Sequence, residues 1–167
     1  QHNALIPKMR KQLVKKVLEL LEDLAKNQPE KYAAFWKEFG IAIKEGVASD
    51  FENRDRVIEL LRFPSSKTPE GQTVSLADYA ARMKAGQKDV YYIAGATRAA
   101  CERSPHMEAF RSRDVEVLYM TDVVDEWMIS ALGPYKDKKL HSATRGDLDL
   151  SGLGETKDKK ETEKEKT

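Results

Sequence analysis

The alternation of apolar runs and helical patterns between residues 89 and 132 constrains the fold more than any other feature of the sequence. Val90–Ala94 is an apolar run of strand length, and residues 97–110 follow it with a helical pattern. A second apolar run at 115–120 precedes a second helical pattern at 123–132. Strands and helices that alternate in this order are typical of a parallel sheet with crossover helices. The sequence therefore predicts an α/β fold with a short, mainly parallel sheet.

Three helical patterns precede this stretch and predict a three-helix coil. The first begins at about Pro7, since proline is tolerated in a first helical turn. Its apolar residues recur at three- and four-residue steps: Ile6, Met9, Leu13, Val17, Leu20 and Leu24. The second has an aromatic stripe and is expected to end at Gly46; the stripe is Tyr32, Phe35, Trp36, Phe39 and Ile43. The third pattern, at 51–62, follows Asp50 as a capping residue.

Changes in composition predict three parts of the chain. Residues 1–63 form the helical coil, and a loop rich in proline, serine and glycine follows at 63–71. Residues 64–150 form a small αβα subdomain, in which Ser75 caps a helix at 76–84 and residues 139–144 can add a third strand. Residues 151–167 are expected to be a charged, flexible linker, because no apolar residue follows position 154.

The overall composition sets limits on partners and compartment. With 29 basic and 28 acidic residues the net charge is +1, so no general attraction to nucleic acid or to an anionic membrane is expected. No apolar run approaches the roughly 20 residues that a membrane-spanning helix needs. Cys101 is the only cysteine, which favours a soluble, cytoplasmic protein. Because the chain starts at Gln1 without a signal-peptide pattern, we expect a segment of a longer protein.

Residues suited to metal or nucleophilic chemistry are few and scattered. The histidines His2, His106 and His141 share no metal-ligand spacing with one another, with Cys101 or with a carboxylate. Cys101 has no histidine three or four residues away, so a buried, inert thiol is the preferred interpretation. We therefore expect no metal site and no nucleophile.

The turn after the first predicted strand offers an alternative function. Gly95 separates that strand from a helix that starts near Thr97 and Arg98, and a helix N-terminus can bind phosphate through its backbone N–H groups. The turn contains neither a GxGxxG nor a GKS/T pattern. An independent small α/β module that binds phosphate or a nucleotide at Gly95 is thus the alternative hypothesis, against ordinary helix capping.

Trp127 lies at the margin between the apolar face of the 123–132 helix and its acidic side. A tryptophan at such a margin suits protein contacts, although packing in the core explains it equally well from the sequence. The carboxylates of Asp122, Asp125 and Glu126 fit compensation of the helix dipole better than acid–base chemistry.

Eight short runs connect the chain with a known family. They are MRKQLVKK at 9–16, NR at 53–54, ELLRF at 59–63, SLADY at 75–79, RMK at 82–84, QK at 87–88, VYYI at 90–93 followed by Gly95, and DEWM at 125–128. In this order they resemble the ninety-kilodalton heat-shock chaperone family in its bacterial form, over residues 1 to about 149. The resemblance implies the later part of the family's middle domain, with the tail leading toward a C-terminal dimerisation domain.

The resemblance also implies a function in the stress response, as part of an ATP-dependent molecular chaperone. In this family ATP and magnesium bind in an N-terminal domain, so this segment alone is expected to hold no cofactor and to be no enzyme, whereas the full-length protein is an ATPase. Gln1 resembles a glutamine of the family's catalytic loop, and we expect no catalytic role for it at this position. The implied role is client binding, together with coupling of ATP binding and hydrolysis to protein folding.

Site residues and partners follow from the same resemblance. Glu126 and Trp127 match the Glu-Trp pair of the client-binding surface in bacterial members, and Ser130 stands where that pattern commonly has Asn. The implied partners are non-native client proteins, with co-chaperones or the seventy-kilodalton heat-shock chaperone as further candidates, and neither nucleic acid nor membrane. The full-length protein is expected to be a homodimer and this segment a monomer.

Overall fold

The computed structural model describes residues 4–153, and the chain divides into two compact units between Arg62 and Phe63. The first unit is helical in its described part, and the second combines helices with a three-stranded parallel sheet. In the described stretch, no helix combines the length and the apolar composition that a membrane crossing requires. The predicted α/β class with a short parallel sheet is confirmed.

The first unit contains α1 (Leu5–Asn27), α2 (Pro29–Ser49) and α3 (Arg54–Glu59). The prediction that Gly46 ends α2 is wrong, because α2 continues to Ser49. Glycine weakens a helix without necessarily ending it. A Cβ built on Gly46 would make only an ordinary contact with Val57, 3.5 Å away, so the packing of α2 against α3 does not require glycine at this position.

Asp50 caps a turn rather than the predicted helix at 51–62. Its Oδ1 accepts a hydrogen bond from the backbone N–H of Asn53 at 3.1 Å, and its Oδ2 accepts one from the Asn53 side chain at 2.9 Å. These bonds stabilise the turn at 51–53, so α3 begins only at Arg54.

Tyr32 connects α2 with the chain that follows α3. Its side chain is buried, its hydroxyl donates to the Leu60 carbonyl, and burial raises its pKa to about 12. The guanidinium of Arg62 lies over the ring at 4.7 Å from its centroid. The helical spacing predicts that the whole aromatic stripe packs in the core; Tyr32 does so, whereas Phe39 is 55% exposed, so the prediction holds for only part of the stripe.

The buried face of α1 differs from the apolar stripe that the sequence periodicity marks. Leu18 and Leu21 are buried, whereas five stripe residues are 45–66% exposed: Ile6, Met9, Leu13, Val17 and Leu20. The two sets are offset by one residue, which is a rotation of about 100° around the helix. α1 is thus apolar over a wider arc than its contact with α2 uses.

The described part of the second unit contains four helices and a three-stranded parallel sheet, in which β1 (Val90–Ala94) lies between β2 (Leu118–Met120) and β3 (Leu140–Ser142). Tyr92 in the central strand pairs with Leu118 on one side and Ser142 on the other. The elements are α4 (Leu76–Ala81), β1 (Val90–Ala94), α5 (Arg98–Glu102), α6 (Met107–Arg111), β2 (Leu118–Met120), α7 (Val124–Leu132) and β3 (Leu140–Ser142).

The single helix predicted at 97–110 is wrong, because the structure has α5 and α6 in its place. Pro105 lies between them; proline lacks a backbone N–H and disfavours a helical residue before it. Thr97 nevertheless caps α5 as predicted, since its side chain accepts the Ala100 N–H at 3.1 Å. Ser75 likewise caps α4 by accepting the Asp78 N–H, although α4 ends at Ala81 rather than at residue 84.

Only the second half of the apolar run 115–120 pairs with β1. The preceding residues bond to the loop after α3 instead: Val117 accepts the Ser66 N–H at 2.9 Å and donates to Ser66 Oγ at 3.0 Å. Glu116, which is 5% exposed, receives the Arg82 guanidinium at 2.6 Å and Ser65 Oγ at 2.8 Å. This buried charge is therefore paired and tied to two other segments of the unit.

Helices cover both faces of the sheet. Tyr91 and Ile93 share one core with Cys101 of α5 and Phe110 of α6. Side chains alternate along a strand, so Tyr92 and Ala94 point to the opposite face, where they line a cavity together with residues of α7. The unit is an αβα sandwich, and among its described helices only α7 lines this cavity.

Leu150 and Leu153 belong to the core that contains Tyr91 and Ile93, and they are 8% and 6% exposed. Residues 151–153 therefore pack with the second unit, although the predicted linker begins at 151. The charged residues from 154 onward lie outside the described part of the chain.

Candidate functional site

Helix α7 is fixed at its start by a hydrogen bond from the preceding turn. The backbone N–H of Asp122 donates to Asp125 Oδ2 at 2.9 Å, and the Asp125 side chain is 2% exposed. Met128 and Leu132 are buried on the same helix, and Gly133, with a φ of 64°, ends it. Since one side of α7 is held in the core, its other side has a defined orientation toward solvent.

The three predicted site residues lie on the outer side of α7. Trp127 is 55% exposed, and Glu126 and Ser130 are exposed. Val123, which comes just before the helix, is 99% exposed and lies four residues from Trp127, so the two side chains share a face. The structure thus supports a surface role for Trp127 over core packing, the two interpretations that the sequence left open.

The Ser130 side chain forms a hydrogen bond within its own helix. Its hydroxyl donates to the Glu126 carbonyl at 3.1 Å, one turn earlier. The oxygen retains its lone pairs and can still accept a hydrogen bond. A longer amide side chain at this position would reach further into solvent than serine does.

A cavity of about 660 Å³ opens beside Glu126 and Ser130. Its walls come from the ends of β1, β2 and β3 and from the side of α7. The lining residues that matter chemically are Tyr92, Thr121, Asp122, Asp125, Glu126, Ser130 and Ser142. They supply carboxylate and hydroxyl oxygens, and Val123 extends the wall toward Trp127 with an apolar side chain.

The location of the cavity follows from the sheet topology. β1 is the central strand of the order β2-β1-β3. The chain passes from β1 to β2 on one side of it and later crosses to the other side to form β3. Open parallel sheets place ligand sites outside the carboxyl ends of the strands where the order reverses in this way. The sequence alone does not predict that Tyr92, Thr121 and Ser142 lie close together, because their proximity depends on the pairing of β3 with β1.

Gly95 lies so close to α5 that a side chain at this position would not fit. A Cβ built on Gly95 would lie 2.8 Å from Cys101 Sγ, closer than real Cβ contacts. The first turn of α5 is already capped by Thr97, and the helix has only five residues. The geometry therefore favours packing and capping over the alternative phosphate site at Gly95 to Arg98.

The remaining candidates for chemistry are dispersed. Cys101 is buried, and burial raises the pKa of its thiol. His141 Nδ1 lies 3.7 Å from Asp89 Oδ2, while His106 is exposed at the start of α6. Residues 4–153 contain no group of three or more histidine, cysteine or carboxylate side chains placed to hold a metal ion. Gln1 and His2 lie outside the described residues.

Comparison with known proteins identifies the family. The family model described as "Hsp90 protein" matches residues 1–167. This chain therefore belongs to the Hsp90 family. It is 51% identical over 167 residues to the chaperone protein HtpG of Methylococcus capsulatus, covering 99% of this chain and 26% of the relative.

Other curated relatives agree with this assignment. The chaperone protein HtpG of Actinobacillus succinogenes is 51% identical over 99% of this chain, and that of Chromobacterium violaceum is 52% identical over 95%. These matches cover 26% and 25% of the two relatives. The chain thus spans about a quarter of the length of the curated relatives that it matches.

Proposed function

We propose that this chain is the later part of the middle domain of an Hsp90-type chaperone and that α7 provides a surface for non-native client proteins. Family membership supports the chaperone role, and the relatives are chaperones by name. The observation that carries the assignment to α7 is the 55% exposure of Trp127 on a helix whose opposite side is buried. Glu126 and Ser130 complete the proposed site.

The geometry of α7 suits weak and adaptable binding. Trp127 and Val123 present apolar surface, and a half-exposed tryptophan adds contact area with few side-chain rotations to restrain. Glu126 and the cavity beside it add polar contacts at the edge of that surface. Such a small surface favours clients that expose apolar segments and lets them dissociate, as a chaperone requires.

The proposed role of the second unit in the whole protein is mechanical. Its sheet and the buried contacts of Asp125 and Met128 hold α7 in place, so force or rotation applied to the unit would move the client surface with it. ATP and magnesium would act in a domain outside this segment, and the segment would couple that cycle to client folding without hydrolysing ATP itself. A cytoplasmic homodimer, with co-chaperones or the seventy-kilodalton chaperone as further partners, completes the proposal.

Client binding can be tested with Trp127 as the only reporter. A Trp36→Phe background leaves Trp127 as the sole indole of the chain. Reduced, carbamidomethylated ribonuclease A, which stays unfolded and contains no tryptophan, serves as the client, and native ribonuclease A serves as the control. We expect a saturable change in indole emission with the unfolded form and none with the native form.

Two variants complete this experiment. Glu126→Ala should weaken the response, whereas Glu108→Ala, an exposed acidic residue on α6, should leave it unchanged. An unchanged emission spectrum throughout the titration with unfolded ribonuclease A would refute the client role of α7.

A further inference from the structure

We propose that Val123 determines which client segments α7 selects: extended segments with two apolar side chains separated by one residue, so that one side chain contacts Val123 and the other contacts Trp127. This inference rests on the proposed client role of α7 and adds the spacing that the site recognises. It is carried by observations on Val123 itself, namely its exposure, its place in the turn before α7 and its position one helical turn from Trp127.

The Val123 side chain adds almost nothing to the core. It is 99% exposed, whereas Val124, the next residue, is half-buried and Met128 is fully buried. Because Val123 and Trp127 lie one turn apart on the same face, their exposed side chains form one apolar patch rather than two isolated residues. Contiguous exposed apolar surface is typical of interaction sites, so the apolar character of Val123 is available to a bound segment.

The local structure would accommodate a polar residue at this position at least as well as valine. Ser75 and Thr97 cap α4 and α5 through side-chain hydrogen bonds. Val123, at the start of α7 with helical angles of φ −57° and ψ −35°, has a side chain that cannot form hydrogen bonds. Its β-branched side chain also lowers the helix propensity. A residue that departs in this way from local preference is typical of a functional site.

The backbone of Val123 is nevertheless held in place by the turn that contains it. The N–H of Asp125 donates to the Asp122 carbonyl at 3.0 Å, and the N–H of Asp122 donates to Asp125 Oδ2 at 2.9 Å. Asp125 is 2% exposed, so the turn is anchored in the core. Val123 is therefore presented to solvent in a defined position, and binding has little further backbone motion to restrain there.

The separation of Val123 and Trp127 matches the repeat of an extended chain. Residues four apart on a helix have Cβ atoms about 5–6 Å apart. In an extended chain, alternate side chains point to the same side and lie roughly 6.6 Å apart, whereas neighbouring side chains point to opposite sides. A helical segment offers a similar separation at i and i+4, but helices shorter than about 12 residues are marginal in water. A short unfolded segment therefore meets this pair more readily in extended form.

The test compares three short, uncharged peptides of identical composition that contain no tryptophan. Each has two leucines in a chain of serine and asparagine, placed at i and i+2, at i and i+1, or at i and i+4. Binding to the Trp36→Phe chain is followed through the emission of Trp127. We expect the i, i+2 peptide to bind about threefold to tenfold tighter than the other two, as for the partial burial of one additional leucine side chain.

Variants at position 123 assign the preference to this side chain. Val123→Thr keeps the branched shape and replaces a methyl group with a hydroxyl group. The spacing preference should then fall to about twofold or less, while the midpoint of denaturant unfolding stays the same because the residue lies outside the core. Val123→Ile, which keeps an apolar side chain, should retain the preference. Val17→Thr, at an exposed position of α1, is the matched control and should retain it as well.

The outcomes separate this inference from the proposed function. Equal binding of the three peptides, or a full preference that persists in Val123→Thr, would overturn the role of Val123 and leave the client surface intact. Tightest binding of the i, i+4 peptide would overturn the extended segment as the selected class. If neither the peptides nor unfolded ribonuclease A changed the emission of Trp127, the client surface itself would be refuted.

Discussion

The sulfur of Cys101 lies 2.8 Å from the point where a Cβ on Gly95 would stand. The thiol also contacts the Ile93 carbonyl at 3.8 Å, so it is held against the end of β1. Gly95 is therefore needed where the chain leaves the central strand, because any side chain there would push α5 away from the sheet. This contact explains the single glycine of the turn without a bound ligand.

Replacing Gly95 tests this relationship. Gly95→Ala should lower the free energy of unfolding by about 1–3 kcal/mol, because the added methyl group overpacks the contact with Cys101. Cys101→Ala in the same chain should recover most of that loss. Denaturant unfolding of both single variants and the double variant gives the coupling energy; additive effects would contradict direct contact.

Substitutions at two neighbouring residues of α7 test which side chain lies at the surface and which lies in the core. Trp127→Ala should change stability by no more than about 0.5–1 kcal/mol, since most surface substitutions have small effects. Met128→Ala should lower it by about 2–5 kcal/mol, because that side chain is fully buried. Thermal and denaturant unfolding measure both, and a large loss for Trp127→Ala would assign this residue to the core.

The ion pair between Arg82 and Glu116 should matter more than an exposed one. Glu116 is 5% exposed and also accepts from Ser65, so Arg82→Met leaves a buried carboxylate with less compensation. We expect a loss of about 2 kcal/mol, below the 3–5 kcal/mol typical of a fully buried pair because Arg82 is half exposed. Arg56→Met, which breaks the more exposed pair with Glu22, is the comparison and should cost about 1 kcal/mol or less.

Asp114 should contribute to stability only above acidic pH. Lys67 and Lys84 lower its pKa from 3.8 to about 2. A carboxyl group whose pKa is lowered by folding stabilises the folded state above its unfolded pKa, and this contribution disappears as pH falls toward the folded pKa. The stability difference between the parent chain and Asp114→Asn should therefore shrink between about pH 4 and pH 2.

Asparagine is the suitable replacement at this position. Asp114 has a φ of 53°, a left-handed conformation that asparagine tolerates well. The change then removes the charge while keeping the backbone. Melting curves at several pH values measure the effect, and a difference that is independent of pH would contradict the role of the two lysines.

The local signals in the sequence predict the sheet well. β1 occupies the predicted residues Val90–Ala94, and Thr97 and Ser75 cap helices where their position suggests. The helix predicted at 97–110 could have been divided from the sequence, because Pro105 is visible there. These features depend on neighbouring residues only, which is why a single sequence reveals them.

Other features depend on contacts that no local pattern contains. The periodicity of α1 detects a helix, but it does not reveal that Leu18 and Leu21 are buried in place of the stripe that includes Leu13. The exposure of Trp127 depends on which side of α7 meets the sheet. The cavity requires Ser142 to come beside β1 after a long connection, and only the fold brings these residues together.

The most direct test of the account is the map of amide shifts when the chain binds unfolded ribonuclease A. The predicted result is a set of perturbations at Val123, Glu126, Trp127 and Ser130, with residues around the cavity affected next. Perturbations confined to the exposed stripe of α1, around Leu13, would contradict the account, because they would place the client surface in the first unit.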